Sequence, residues 1–207
     1  KPFIYYLLKF LEKNSIKKIT LCTGYQHYLI EDWVNKSYSG GAVIKFSREK
    51  IPLGTAGALK NAENLIESNN VIIMNGDTFI NTKLIKFYNY FLSSCADILV
   101  LLSQSKYHDQ FGTVRLSNYG VIEKFNEKID QNRLQNIVNA GIYIFKREIV
   151  DIIQEKSFLS LEKDIFPKLI DDSRLKIMGV IENNSFHDFG TPSRYQQIQN
   201  NTDVYLQ

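Results

Sequence analysis

The sequence predicts an α/β fold built on a mixed, mostly parallel sheet with antiparallel additions and helices on both faces. In the first half of the chain, wholly apolar runs such as residues 71–74 alternate with amphipathic segments of helical period. Such runs are typical of strands buried on both faces, and their alternation with helices indicates βαβ units with right-handed crossovers. In the second half, tight turns such as Asn118-Tyr119-Gly120 join short strand candidates and indicate antiparallel pairing. Together these patterns predict a Rossmann-like, doubly wound sheet.

The elements follow from periodicity and from the residues that bound them. Leu7, Leu8 and Leu11 share one helix face, and Gly24 stops the first strand. Helical periodicity predicts helices over residues 4–13, 28–34, 55–66, 84–92, 147–154, 161–169 and 192–200. Apolar or alternating runs predict strands over residues 16–23, 42–46, 71–74, 97–102, 112–116, 121–125 and 142–145. No linker, internal repeat or low-complexity tract interrupts them, so we predict a single domain over residues 1–207.

Composition excludes several classes of protein. An apolar fraction of 44% suits a globular protein with a full core. The net charge is only +3 and both signs are interspersed, which argues against a nucleic-acid binder. The longest apolar stretches are too short to span a bilayer, and no signal peptide is visible, so no membrane partner is expected. Cys22 and Cys95 show no zinc spacing, so we expect a reduced, cytoplasmic setting.

Asn75-Gly76-Asp77 directly follows the apolar run at residues 71–74. Open parallel sheets bind ligands at the carboxyl ends of their strands, so a carboxylate next to a glycine at this point is well placed to hold a metal ion. The alternative is an Asn-Gly hairpin turn with a solvated aspartate.

Leu53-Gly54-Thr55-Ala56-Gly57 stands where a loop enters a predicted helix. We expect Thr55 to cap this helix and the glycines to let a ligand approach the backbone. Exposed N–H groups at such a helix start favour anions or polar base edges. The spacing is neither that of a Walker loop nor that of a Rossmann fingerprint. The alternative is a helix start of small residues that simply packs on the sheet.

Asp188 lies between aromatic residues, just before Gly190-Thr191-Pro192, which begins a predicted helix with Thr191 as its cap. A second carboxylate near Asp77 would complete a hard oxygen site for Mg²⁺. The alternative is helix capping with Asp188 exposed to solvent.

Further candidates follow predicted strands. Lys128 could neutralise a phosphate and Glu127 could accept hydrogen bonds from hydroxyls, although an exposed charge pair would look the same. Gly112 and Gly141, in Phe111-Gly112-Thr113 and Asn139-Ala140-Gly141, either admit a ligand or form a bulge or turn.

Taken in order, these motifs resemble those of the sugar-1-phosphate nucleotidyltransferases, also called nucleoside-diphosphate-sugar pyrophosphorylases. The resemblance covers nearly the whole chain, and within the family it is greatest to bacterial guanylyltransferases that act on heptose or mannose 1-phosphates. The motifs that carry it are Lys1-Pro2-Phe3, residues 52–59, Asn75-Gly76-Asp77, Phe111-Gly112-Thr113, Glu127-Lys128, Asn139-Ala140-Gly141 and Asp188-Phe189-Gly190-Thr191.

The resemblance implies a reaction between a nucleoside triphosphate, GTP in these enzymes, and a sugar 1-phosphate that yields a nucleoside-diphosphate sugar and pyrophosphate. Such enzymes serve cell-surface polysaccharide biosynthesis, and a homo-oligomer is compatible with the resemblance. It implies that Asp77 and Asp188 hold the Mg²⁺ cofactor and that Lys128 meets the sugar phosphate. It assigns nucleotide binding to Leu53, Gly54, Thr55, Gly57, Asn75 and Gly76, and sugar binding to Gly112, Glu127, Asn139 and Gly141.

One part of the family pattern has no counterpart here. In the family, a first strand and a Gly-rich, phosphate-gripping loop precede the position of Lys1-Pro2-Phe3, and this sequence starts there without a methionine. We therefore expect a piece of a longer polypeptide. Two alternatives stay open: a non-catalytic regulatory homologue that binds a nucleotide sugar, and the same reaction with UTP or CTP.

Overall fold

The computed structural model describes residues 1–104, 113–126, 137–154, 158–184, 186–191, 194 and 196. The chain divides into two compact units. Unit 1 contains residues 1–71 and 146–168, and unit 2 contains residues 72–145 and 169–207. The single-domain prediction stays a prediction.

The described helices and strands follow in chain order. The helices are α1 (Phe3–Lys13), α2 (His27–Ser37), α3 (Gly54–Asn61), α4 (Leu84–Ser94), α5 (Arg147–Ile152) and α6 (Phe166–Asp171). A 3₁₀ turn covers Glu63–Leu65 and a π-helical turn covers Leu161–Ile165. The strands are β1 (Lys18–Thr23), β2 (Val43–Arg48), β3 (Asn70–Met74), β4 (Thr78–Ile80), β5 (Ile98–Gln104), β6 (Thr113–Leu116), β7 (Ile122–Asn126), β8 (Ile137–Lys146), β9 (Ile177–Glu182) and β10 (Phe186–Asp188).

Unit 1 starts with the predicted βαβ arrangement. β1 and β2 pair in parallel from Lys18 opposite Val43 onward, and α2 lies between them in the chain. Leu8, Ile19 and Val34 form the buried centre to which α1, β1 and α2 each contribute one residue. Hydrophobic periodicity therefore predicted these elements correctly, because each buries one apolar face within the same unit.

A buried carboxylate joins the ends of these elements. Glu31 of α2 accepts a hydrogen bond from Nε of Arg48 at 2.8 Å, and the hydroxyl of Thr23 lies 3.3 Å from the same carboxylate. The Arg48 guanidinium holds the pKa of Glu31 below its usual range. The end of β2, from which the chain enters the loop before α3, is thereby fixed to α2.

Unit 2 contains a mixed sheet with the strand order β7-β6-β8-β5-β9, and β3 also pairs with β8. β5 and β9 are parallel, whereas β8 is antiparallel to both β5 and β6, and β6 is antiparallel to β7. β4 and β10 form a separate antiparallel pair. The prediction of an α/β fold with a mixed sheet is confirmed. Within the described ranges, antiparallel pairing takes a larger share than the sequence pattern predicted.

Several boundaries differ from the predictions. The strand predicted over residues 142–145 is the longer β8, whose pairing with β5 is interrupted by a bulge between Val100 and Leu102. The helix predicted over residues 55–66 ends at Asn61, and the one predicted over residues 161–169 begins with the π-helical turn. β4, β9 and β10 were not predicted. Among the described residues, no helix combines the length and the apolar character that crossing a membrane requires.

Candidate active site

Asp77 and Asp188 are brought together by two short strands of unit 2. β4 begins directly after Asp77 and pairs antiparallel with β10, so that Asp188 lies opposite Thr78. The pairing continues beyond the strands, because the N–H of Phe189 donates to the carbonyl oxygen of Asp77 at 2.7 Å. Strand pairing therefore makes neighbours of two aspartates that are distant in the sequence.

Gly190 leaves an open space between the two carboxylates. A Cβ atom on this residue would lie 3.1 Å from Oδ2 of Asp77 and 3.2 Å from Oδ1 of Asp188. Both oxygens thus face the same small volume, which a side chain at position 190 would fill. Mg²⁺ prefers hard oxygen ligands and is usually held by one or two carboxylates together with water and substrate phosphates. The donor atoms and the open space therefore fit such an ion, with Asp77 and Asp188 as its protein ligands.

The remaining ligands of such an ion would come from outside the described protein groups. Across the described ranges, no cluster of three or more His, Cys, Asp or Glu side chains is arranged to hold a metal ion. A two-carboxylate site is weak by itself and gains ligands when a phosphate-bearing substrate binds. Two carboxylates are thus the part of such a site that the described residues supply.

The surroundings of Asp188 fix its orientation. Its Oδ1 accepts the N–H of Gly190 at 2.7 Å, and its Oδ2 lies 2.9 Å from Nη1 of Arg194. The Asp188 side chain is only 15% exposed, which contradicts the solvent exposure that the capping alternative expected of it. Burial lowers the pKa of His187, so this neighbouring imidazole is neutral at pH 7 and adds no positive charge. Among the described residues, Arg194 is the positive charge that directly contacts Asp188.

The hairpin alternative for Asn75-Gly76 is also wrong. β3 pairs with β8 and β4 pairs with β10, so the two strands that flank this turn do not form a hairpin with each other. A type I′ hairpin turn needs positive φ angles at its central residues. Among the described glycines, φ is positive at Gly54, Gly120 and Gly141 but not at Gly76.

Asn75, Asn139 and Gly141 meet at the bulge of β8. The N–H of Asn75 donates to the carbonyl oxygen of Gly141 at 2.8 Å. The amide of Asn139 accepts the N–H of Gly141 at 3.0 Å and donates to the hydroxyl of Tyr143 at 2.6 Å. Gly141 has φ +71°, and a Cβ atom there would lie 2.7 Å from Oγ1 of Thr78. The predicted sugar-binding residues Asn139 and Gly141 therefore also shape the turn that leads to Asp77.

The predicted nucleotide loop of unit 1 is held by its own chain. Leu53 donates its N–H to Oε2 of Glu49 at 3.0 Å, and its carbonyl oxygen accepts the N–H of Leu159 at 2.8 Å. Gly54 has φ +71°, and a Cβ atom there would lie 2.4 Å from the carbonyl oxygen of Leu159. A Cβ atom on Gly57 would lie 2.9 Å from Cβ of Leu53. Gly54 is thus required by the close approach of the Leu159 backbone, and Gly57 by the side chain of Leu53.

The start of α3 is capped by a backbone carbonyl group. The N-cap residue is Leu53, so the prediction that Thr55 caps this helix is wrong. The N–H groups of Ala56 and Gly57 donate to the carbonyl oxygen of Leu159 at 2.9 and 3.3 Å. These two donors are therefore already used, and an anion bound by them, as the sequence suggested, would have to displace Leu159.

Thr55 instead connects the loop to the turn after Leu159. Its Oγ1 accepts the N–H of Leu161 at 2.7 Å and donates to Oε2 of Glu162 at 3.2 Å. Ser160 donates its hydroxyl to the same oxygen of Glu162 at 2.9 Å. We call residues 159–162 the loop anchor. Sequence reasoning missed the loop anchor, because its partner at residues 53–57 is distant in the chain.

Three predicted site residues, the predicted helix cap and one residue that was not predicted remain to be placed. Gly112, Glu127 and Lys128 lie outside the described residues, so their roles stay predictions. Thr191 was predicted to cap the following helix, and its Oγ1 accepts the backbone N–H of Arg194 at 3.4 Å, as an N-cap side chain does. Arg194 was not predicted, although a basic residue just after a Gly-Thr-Pro helix start was a usable signal.

Comparison with known proteins identifies the family. A family model described as nucleotidyl transferase matches residues 1–203. The chain belongs to the nucleotidyl transferase family. The family that the ordered motifs predicted is therefore confirmed.

Similar members of the nucleotidyl transferase family include two curated relatives. The D-glycero-α-D-manno-heptose 1-phosphate guanylyltransferase of Aneurinibacillus thermoaerophilus is 33% identical over 206 residues, which cover 100% of this chain and 87% of that protein. The mannose-1-phosphate guanylyltransferase of Mycobacterium tuberculosis is 28% identical, over 94% of this chain and 54% of that protein.

Solved structures agree with the fold. HddC from Yersinia pseudotuberculosis complexed with GMP-PN matches with a TM-score of 0.84 and 27% identity, over 98% of this chain and 86% of that one. A UDP-glucose pyrophosphorylase complexed with UDP-glucose matches with a TM-score of 0.79 at 16% identity, over 98% of this chain and 87% of that one, which supports the fold alone.

Replacing Gly141 by alanine tests the bulge beside Asn75. We expect Gly141→Ala to lower the free energy of unfolding by about 2–4 kcal/mol, since strain at positive φ adds to a collision with Thr78 and Asn75. Gly120→Ala is the matched control, because φ there is +76° but the nearest atom to a Cβ lies at 3.5 Å. The control should cost only about 1 kcal/mol. Urea unfolding measures both values, and equal losses would contradict the collision.

Replacing Thr55 by valine tests the loop anchor. Thr55→Val keeps the shape of the side chain but removes the acceptor for the N–H of Leu161, a residue that is fully buried. We expect a loss of about 1–3 kcal/mol in the free energy of unfolding, because a buried donor is left unsatisfied. Thr55→Ser keeps the hydroxyl and should lose much less. Denaturant titration without nucleotide checks this, and equal stability of the two variants would contradict a structural role for the hydroxyl.

Proposed function

We propose that this protein transfers a guanylyl group from GTP to a sugar 1-phosphate of the heptose or mannose type and releases pyrophosphate. The observation that carries the proposal is the meeting of Asp77 and Asp188 around the open space at Gly190. Two carboxylates that face one small volume can hold a divalent cation, and such a cation suits a reaction whose substrates are all phosphate anions. Membership of the nucleotidyl transferase family supports the same class of reaction.

The reaction requires positioning of the two substrates and neutralisation of their negative charge more than it requires acid–base catalysis. A phosphate oxygen of the sugar 1-phosphate attacks the α-phosphorus of GTP in line. The bond from that phosphorus to the bridging oxygen breaks, and pyrophosphate leaves with the electron pair. The attacking oxygen is already an anion, so no strong general base is required. Binding in the correct geometry then accounts for much of the rate.

Asp77 and Asp188 are the residues that would hold Mg²⁺, which when bound neutralises negative charge on the phosphates. Their orientation is set before any substrate arrives, because the strand pair and the N–H of Gly190 fix Asp188. Preorganised groups cost no rearrangement during the reaction. Lys128 would contact the sugar phosphate, and Glu127 and Gly112 the sugar, as the family resemblance implies.

The proposed preference for GTP and for a heptose or mannose 1-phosphate rests on the names of the relatives. The residues proposed to bind the base and the sugar lie in two separate parts of the chain. Relatives at 33% and 28% identity carry the names of heptose and mannose 1-phosphate guanylyltransferases. In our proposal the anchored loop from Leu53 to Gly57 contacts the nucleotide, and the family resemblance implies nucleotide binding by Asn75 and Gly76 as well. Asn139 and Gly141 line the sugar site. The anchored loop supports this assignment because a rigid backbone edge loses little entropy when it binds a base.

A substrate panel tests the proposal directly. The full-length protein is given GTP, UTP, CTP or ATP in combination with D-glycero-α-D-manno-heptose 1-phosphate, mannose 1-phosphate or glucose 1-phosphate, and pyrophosphate release is measured. We expect the fastest turnover with GTP and one of the first two sugars. Fastest turnover with UTP or CTP would refute the guanylyl assignment. Binding of a GDP-sugar without turnover of any pair would favour the regulatory homologue.

Replacing Asp77 tests the role of the two carboxylates. We expect Asp77→Asn to lower kcat by a factor of about 100 or more, because one charged ligand of the cation is lost. Asp32→Asn is the matched control, since Asp32 is an exposed carboxylate that pairs with Lys36. Circular dichroism and urea unfolding should show both variants folded. Activity of Asp77→Asn close to that of the control would exclude Asp77 from catalysis.

A further inference from the structure

Arg194 forms an ion pair with one of the two carboxylates. Its Nη1 lies 2.9 Å from Oδ2 of Asp188, and the two side chains are only 24% and 15% exposed. The backbone N–H of Arg194 is held by Oγ1 of Thr191 at 3.4 Å. A fixed positive charge therefore stands directly beside the open space at Gly190.

This placement has a physical cost for a cation. The guanidinium group of Arg194 is attracted to the negative charge of Asp188. A divalent ion held by Asp77 and Asp188 would be attracted to the same charge. Two positive charges this close repel each other, and partial burial weakens the screening by solvent and salt. Without a further anion, Arg194 and the cation are therefore competitors.

A bound anionic ligand changes the relation between Arg194 and the cation from competition to mutual stabilisation. Guanidinium groups bind phosphate through paired N–H donors, so a phosphate group at the site offers Arg194 an additional anionic partner. The phosphate also adds negative charge that both cations share. Arg194 and the metal ion then assist each other in the presence of phosphate, although they compete without it.

We propose that Arg194 makes divalent-cation binding at Asp77 and Asp188 dependent on a bound phosphate-bearing substrate. The proposal rests on the cation site of the proposed function and assigns Arg194 as a positioning residue. Its role is to keep the empty enzyme from holding a metal ion tightly and to tie cation binding to the arrival of the nucleotide. Such linkage is reciprocal, so the cation strengthens nucleotide binding by the same factor.

A purely structural role for Arg194 predicts the opposite change. If Arg194 only held Asp188 in position, its removal would disorder the carboxylate and weaken cation binding. If Arg194 competes with the cation, its removal strengthens cation binding in the absence of nucleotide. The direction of the change therefore separates the two roles without any measurement of activity.

The test measures Mn²⁺ binding by electron paramagnetic resonance on the full-length protein, with and without a GTP analogue that carries a methylene group between the α- and β-phosphorus atoms. We expect Arg194→Gln to bind Mn²⁺ about fivefold more tightly than wild type without the analogue, and to gain less from its addition. Arg194→Lys keeps the charge and should resemble wild type. Arg174→Gln is the control for net charge, because it removes an arginine that pairs with Asp172 at the surface.

The outcomes are distinct. Unchanged or weaker Mn²⁺ binding by Arg194→Gln overturns this inference but leaves the proposed function standing, provided that wild-type binding is lost in Asp77→Asn. If wild-type protein binds no Mn²⁺ in either condition, or if Asp77→Asn binds it equally well, the cation site fails and the inference fails with it. If Arg174→Gln changed Mn²⁺ binding as much as Arg194→Gln does, the change would follow from net charge alone. That outcome would refute a local role for Arg194.

Discussion

The pairing of β4 with β10 is the constraint on which the candidate site depends. Each strand has only three residues, yet their register places Asp188 beside the residue that follows Asp77. β4 is anchored because Phe79 and Ile80 are buried in the core of unit 2. The spacing of the two carboxylates is therefore set by hydrophobic packing and backbone hydrogen bonds. A site supported in this way is held more precisely than one built on loops alone.

At several positions where the sequence pattern predicted a bound ligand, main-chain groups of the protein itself make the contacts. Gly54 admits a neighbouring backbone segment, and the carbonyl group of Leu159 accepts the N–H groups at the helix start, where the pattern predicted an anion. Gly141 likewise forms a bulge beside Asn75. Glycine permits close approach of any group, so its presence in a motif cannot distinguish a bound ligand from a packed main chain.

Local signals explain how much of the fold could be predicted. The βαβ start of unit 1 and the apolar strand before Asp77 follow from hydrophobic periodicity, which each segment carries within itself. β4 and β10 are too short to show a period, and Gly179 interrupts the apolar run that forms β9. The nearness of Asp188 to Asp77 was inferred from chemistry and matches the strand register. The loop anchor depends on contacts that no local pattern contains, whereas Arg194 follows a Gly-Thr-Pro helix start, a local signal that was available but not used.

Unit 1 is built from two stretches of chain, residues 1–71 and 146–168, and the loop anchor belongs to the second. This has a consequence for the order of folding during synthesis. The loop at residues 53–57 leaves the ribosome early, but its positive-φ glycine and its helix cap have no partner until residue 162 has been made. Closing such a long loop is slow compared with local helix formation. We therefore expect the docking of the loop anchor to be a late step in the folding of unit 1 and a point at which misfolding can occur.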